Sequence, residues 1–127
     1  MKKILIIITL LFSLVLEAKS LDANSFYPTI KKNKLVIVKF WASWCAPCVA
    51  LEYKFLMAQK VAKKRGLKVL FADYNVDLGG RPLKDYNIKY LPTLVIFKNG
   101  KEVSRTTSSS LTAEEIVDWI EEADIKN

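Results

Sequence analysis

A chain of 127 residues, 51% of them hydrophobic, can bury one core but is too short for two full-sized domains, so one domain must contain the whole function. The absence of histidine excludes every Ser-His-Asp or Cys-His catalytic scheme and every histidine-based metal site. The formal charge of +7 comes from basic residues scattered along the chain with no nucleic-acid motif, so no nucleic-acid partner is expected.

Lys2 and Lys3 precede an apolar run from Ile4 to Leu16, and the small residues Ala18 and Ser20 follow. This is the pattern of a secretory leader. The run falls short of the ~20 residues that cross a bilayer as a helix, so a leader over 1–20, cleaved after Ala18 or Ser20, is expected rather than a permanent anchor. Residues 21–127 would then form the mature domain, and it stays basic after losing three lysines and one glutamate.

Residues 21–34, with Asn24, Pro28 and Asn33, read as a short helix or turn. From Leu35 to Ala42 the chain is β-branched and aromatic with Lys39 as its one charge, the pattern of a central strand covered on both faces. Leu51, Phe55, Ala58 and Ala62 recur at three-to-four spacing between Pro47 and about Arg65, predicting a long amphipathic helix that stops at Gly66. A second strand is predicted over 67–75, then a Gly79-Gly80 loop and a short helix near Leu83 to Tyr86. Leu94–Phe97 and Glu102–Thr106 flank Asn99-Gly100, the strongest short signal for a hairpin turn. Thr112 and Glu115 form a capping box ahead of Ile116, Trp119 and Ile120, the stripe of a closing helix. The Ser/Thr run from Ser104 to Ser110 reads as a solvated strand end.

The two cysteines, Cys45 and Cys48, sit where the buried strand gives way to the long helix. The first N–H groups of a helix lack intrahelical partners, so they can donate to a thiolate, and the aligned peptide dipoles favour its charge. Cys45 is thereby the candidate nucleophile, since a helix N-terminus lowers the pKa of a thiol below its usual value without any histidine. Cys48, one turn along, is placed to resolve a mixed disulfide formed by Cys45. Pro47 in the first turn forfeits no helical hydrogen bond and stiffens the loop, while Ala46 occupies the other position between the sulfurs. An inert structural disulfide, or half of a metal site closed by carboxylates, are the competing readings of the pair.

The stretch Phe40-Trp41-Ala42-Ser43-Trp44-Cys45-Ala46-Pro47-Cys48, together with Tyr90-Leu91-Pro92-Thr93 and the hairpin after it, resembles the thioredoxin superfamily over nearly all of residues 35–124. The resemblance implies an α/β thioredoxin fold: a central mixed sheet flanked by helices, ending in a β-hairpin and a closing helix. It also implies that Pro92 is cis and that the Leu91 backbone, Trp44 and the Ala46-Pro47 loop meet the substrate. The other reading of Pro92 is the first residue of an edge strand in trans. Trp41 reads as core and Trp44 as rim of the site.

Thioredoxin carries an aspartate six residues before its first cysteine, and here Lys39 stands there; the position of the family's facing lysine falls on Asp73. The two appear exchanged in place, which suggests Asp73 as the base for Cys48 and Lys39 as a charge favouring thiolate. In the competing reading Lys39 threads its stem to water and Asp73 is simply exposed. Val49 after Cys48, and Ser108 or Ser109 at the place of a docking-surface glycine, depart from the family pattern.

The resemblance to exported reductases of cytochrome c maturation implies a periplasmic, monomeric protein-disulfide reductase without cofactor or metal. Its partners would be protein thiols and disulfides, with a membrane thiol relay resupplying electrons. A disulfide oxidase or isomerase, or a binding module on the same fold with incidental cysteines, are the alternatives.

Overall fold

The computed structural model describes residues 17–127; the apolar run of the expected leader lies outside them. Five strands form one sheet in the order β1-β3-β2-β4-β5: β1 Lys19–Leu21, β2 Leu35–Trp41, β3 Leu70–Asn75, β4 Thr93–Lys98 and β5 Lys101–Thr106. β1 and β2 run parallel to β3, whereas β4 is antiparallel to both β2 and β5. The helices are α1 Phe26–Lys32, α2 Ala46–Lys64, α3 Arg81–Asp85 and α4 Ala113–Lys126, with a 3-10 turn over Val76–Leu78. The sheet is mixed, as the α/β thioredoxin fold requires.

The central strand β2 is buried at every position up to Phe40, and its side chains alternate between two cores. Leu35 and Ile37 face α2 and α4 with Phe71, Leu94 and Ile96, while Val36, Val38 and Phe40 face α1 with Phe26, Tyr74, Val95 and Phe97. Phe26 is fully enclosed, its ring within 6.1 Å of those of Tyr27, Phe40, Tyr74, Tyr86 and Phe97. This cluster fixes the short helix α1, which has no side-chain cap.

The sheet begins earlier than the predicted domain boundary at residue 21. Lys19 and Ser20 pair with Ala72 and Asp73, so cleavage after Ala18 would leave β1 whole and cleavage after Ser20 would remove two of its three residues. A three-residue edge strand is too short to show a period of two, and the small residues of a leader junction hide it. The strand predicted from Leu67 starts instead at Leu70. Leu67 is consumed by the end of α2: its N–H reaches the Ala62 carbonyl, the Gly66 N–H reaches that of Lys63, and Gly66 takes φ +74°. This is a Schellman cap, which only a residue tolerant of positive φ can close.

At the hairpin, Asn99 and Gly100 both have positive φ (53° and 80°), the two-residue turn whose twist matches the flanking strands. The β4–β5 register slips between Ile96 and Phe97, so that Val103 has no opposite partner in the ladder. Thr112 and Glu115 form the reciprocal capping box at the start of α4. Arg65 donates to Asp118 and Glu121 at 2.7 Å each, tying the end of α2 to α4.

Phe26→Ala should lower unfolding free energy by about 3–5 kcal/mol, the range for a fully buried aromatic, and Thr112→Ala by only about 1 kcal/mol for a lost cap. Urea titrations of the two variants check the ranking, which inverts if the aromatic cluster is not the keystone of that face.

Candidate active site

β2 ends at Trp41, four residues before Cys45, and Cys45 is the N-cap of α2. Its Sγ accepts the Cys48 N–H at 3.3 Å, so a sulfur fills the place that a serine or aspartate oxygen takes at an ordinary helix start. The Cys45 carbonyl receives the Val49 N–H and begins the helical ladder. Cys45 and Cys48 are joined by a disulfide, with their Cα atoms 5.3 Å apart. Both are buried, against Ala42 and the partly covered Trp41, Val76 and Leu91. Ala46 and Pro47 are exposed on the rim.

The Leu91–Pro92 peptide bond is cis. Pro92 is buried, Leu91 is half-buried against the cysteines, and Thr93 donates its hydroxyl to the Tyr90 carbonyl across the bend. Trp44 lies 69% exposed beside the disulfide, and its indole N–H donates to Asp77 at 3.0 Å. Asp77 is itself held by the 3-10 turn, where its N–H reaches the Asn75 side chain. Trp41 is half-buried, and its indole N–H donates to Asp73 at 3.0 Å.

Lys39 and Asp73 are register partners on neighbouring strands. Because side chains alternate along a strand, this register sends both to the face covered by α2. They line a cavity of about 230 Å³ with Ser20, Trp41, Glu52 and Cys48. A wider space of about 440 Å³ also carries Lys39, Glu52 and Asp73 on its wall and reaches Ala18 and Gln59. Lys39 is buried, with Nζ 5.0 Å from the Phe55 ring centroid and 5.9 Å from that of Trp41. Among the described residues no carboxylate lies within 4.0 Å of it. Burial pushes the Lys39 ammonium below its usual pKa, and the charges of Asp73 and Glu52 only partly restore it. Asp73 is not simply exposed: one oxygen holds Trp41 and the other receives the Ser20 hydroxyl at 3.3 Å.

The fold thus brings Cys45, Cys48, Trp44, Ala46, Pro47, Leu91 and Pro92 around one disulfide, with Lys39 and Asp73 behind it. Three residues were missed in the sequence. Glu52 stands one turn beyond Cys48, an i,i+4 position that could have flagged it. Ser20 falls within the leader pattern, and Asp77 carries no local signal of its contact with Trp44. Among the described residues no three His, Cys, Asp or Glu side chains are grouped to hold a metal ion.

The family model for thioredoxin matches residues 17–122. The chain belongs to the thioredoxin family. It is 34% identical over 112 residues to the chloroplastic thioredoxin Y of rice, covering 87% of this chain and 64% of that one. It is 41% identical over 93 residues to a probable thioredoxin-2 of Caenorhabditis elegans, covering 73% and 61%. The chain therefore spans somewhat under two thirds of the length of these two relatives. Among solved structures, Plasmodium falciparum thioredoxin superposes with a TM-score of 0.69 at 26% identity over 83% of this chain and 98% of that one. The Cys45–Cys48 disulfide is the thioredoxin-type centre of this fold.

The burial of Lys39 carries a pH signature. Its folded-state pKa lies below the unfolded value of 10.5, so the unfolded state binds more protons between the two, and the penalty of burying this group fades as pH rises through that window. In the oxidised protein Lys39→Met should be more stable than the parent at pH 7, and the gain should shrink as pH approaches 10.5. Denaturation midpoints measured across pH 7–10.5 test this; a gain independent of pH would mean that the ammonium is not desolvated.

Proposed function

We propose that this protein is a periplasmic thiol:disulfide oxidoreductase that works as a protein-disulfide reductase. The observation that carries the reading is the bond from the Cys48 N–H to Cys45 Sγ at the free start of α2. When the pair is reduced, the same N–H and the helix dipole stabilise a thiolate on Cys45. That thiolate attacks one sulfur of a substrate disulfide; a Cys45–substrate disulfide forms and the first substrate sulfur leaves as a thiolate. Cys48, having lost its proton, attacks Cys45 Sγ and the second substrate sulfur leaves. Two electrons pass to the substrate, and the enzyme is left as the Cys45–Cys48 disulfide. A membrane thiol relay that donates a dithiol would restore it.

The cavity behind Cys48 supports a route for its proton. Asp73 faces that space and serves as the base, through water in the cavity, while the Lys39 charge favours thiolate. On the substrate side, the Leu91 backbone offers an edge to an extended peptide, and Trp44 with the Ala46-Pro47 loop forms the facing rim. The leader pattern of residues 1–20 supports export, and the Trp-Ala-Ser-Trp-Cys-Ala-Pro-Cys stretch supports the reducing direction.

Cys45→Ser should abolish insulin disulfide reduction, whereas Cys48→Ser should accumulate a trapped Cys45–substrate disulfide visible on non-reducing gels. Absence of that adduct would overturn the assigned order of attack. The equilibrium potential of the pair against glutathione decides direction: a value near the reducing end supports the reductase, and one near the oxidising end replaces it with an oxidase. Asp73→Asn should slow resolution of the mixed disulfide on the order of 10²-fold at pH 7 while leaving the first attack nearly unchanged. Stopped-flow traces from pH 6 to 9 separate the two steps, and an unaltered second step removes Asp73 from the mechanism.

A further inference from the structure

The cavity behind Cys48 grades from dry to wet. On its wall Cys48 and Lys39 are only 3% and 8% exposed, Asp73 is half-buried, and Glu52 is exposed. A proton that leaves the Cys48 sulfur therefore starts in a closed space and needs a carrier to bring it out. The space of about 230 Å³ has room for several waters, each taking ~30 Å³.

Glu52 reaches this space because of its position on α2. It lies four residues beyond Cys48 and so on the same face of the helix. Helical side chains lean toward the N-terminus, which brings the Glu52 carboxylate back over the turn that carries Cys48. Glu52 lines both the space beside Cys48 and the wider one that reaches Gln59, whereas Glu17 lines only the wider one. Among the described residues no lysine or arginine nitrogen lies within 4.0 Å of Glu52. Its carboxylate is not locked in an ion pair and can turn between the cavity and bulk water.

Asp73 is less free. One of its oxygens holds the Trp41 indole and the other the Ser20 hydroxyl. An indole N–H only donates, so Trp41 cannot take a proton from Asp73, and a serine hydroxyl is too weak a base to store one. Lys39 supplies a reason for passing the proton on. Its buried ammonium is sustained by the charges of Asp73 and Glu52. A proton resting on Asp73 removes the first of those charges, and sending it to solvent restores it.

We propose that Glu52 is the outer carboxylate of the proton route, taking the Cys48 proton from Asp73 across the cavity and releasing it to bulk water. The proposal rests on the reading of Asp73 as the base for Cys48. The proton passes from Cys48 Sγ to Asp73, then to Glu52, then to solvent, each time through water, and both carboxylates end ionised. The electron pair left on Cys48 forms the bond to Cys45 Sγ, and the substrate sulfur leaves with the pair that had bound it to Cys45.

Stopped-flow mixing of the reduced full chain with dithionitrobenzoate, a disulfide whose two halves are coloured when released, resolves the two attacks. Cys45 releases the first half and Cys48 the second. Glu52→Gln should slow the second release at least ~10-fold at pH 7 and leave the first near the parent's rate. Glu52→Asp should keep most of the second rate, and added imidazole should restore the Glu52→Gln variant by carrying the proton in its place. The sign is decisive: a fixed negative charge disfavours thiolate, so if Glu52 acted only through its field, Glu52→Gln would speed the second release. A faster or unchanged second release in Glu52→Gln, with Asp73→Asn slow, would remove Glu52 from the route and leave Asp73 as the base. Slowing that imidazole does not relieve would count as structural and equally sink the carrier. Were Ser20→Ala slow and Glu52→Gln fast, the exit would lie on β1 instead. An Asp73→Asn variant with the parent's second rate would remove the base itself, and the relay with it.

Discussion

The chemistry of this protein depends on the unpartnered N–H groups at the start of α2. A helix start needs acceptors, and here the Cys45 sulfur is one of them. The position is rigid because β2, which delivers the chain to it, is buried on both faces and cannot shift without emptying two cores. A flexible loop carrying the same two cysteines would not hold a sulfur in line with a helix axis.

Behind the disulfide, the sheet accepts a cost that a purely structural strand would avoid. Lys39 occupies a position that burial disfavours for an ammonium, and its nearest charges, Asp73 and Glu52, only partly relieve this. A leucine there would pack against Phe55 with no such penalty. The buried cation and the half-buried carboxylate share the wall of a cavity that also carries Cys48, the arrangement on which the proposed proton route rests. The neighbouring indoles divide the work: Trp41 holds Asp73 in place, whereas Trp44 is fixed by Asp77 and turned to the exterior.

Charge is organised over the molecule as a whole as well as around the cysteines. Ion pairs knit α2 to α4 and β4 to α4 near one end of the sheet, where Arg65 meets Asp118 and Glu121 and Lys98 meets Asp124. These pairs lie away from the disulfide, which sits beyond the other end of β2.

Local patterns made much of this legible beforehand. The central strand, the long helix ending at Gly66, the Asn99-Gly100 hairpin and the Thr112–Glu115 capping box each rest on contacts within a few residues, and the placement of Cys45 and Cys48 at a strand-to-helix junction follows from them. What was misread or missed involves residues distant in sequence. β1 exists only because β3 offers it an edge, Leu67 was drawn from a strand into a helix cap, and Asp77 gains its role from a tryptophan 33 residues away. The sequence could align Lys39 with Asp73, but only the parallel register of β2 and β3 sends both beneath α2 toward Cys48. Likewise, Lys34, Lys68 and the β4–β5 turn come together only in the folded chain, where the Asn99 N–H meets the Lys34 carbonyl and Lys34 and Lys68 line one groove. Short-range chemistry is written in neighbouring residues, while pairing register and the summed field of distant charges are properties of the folded chain.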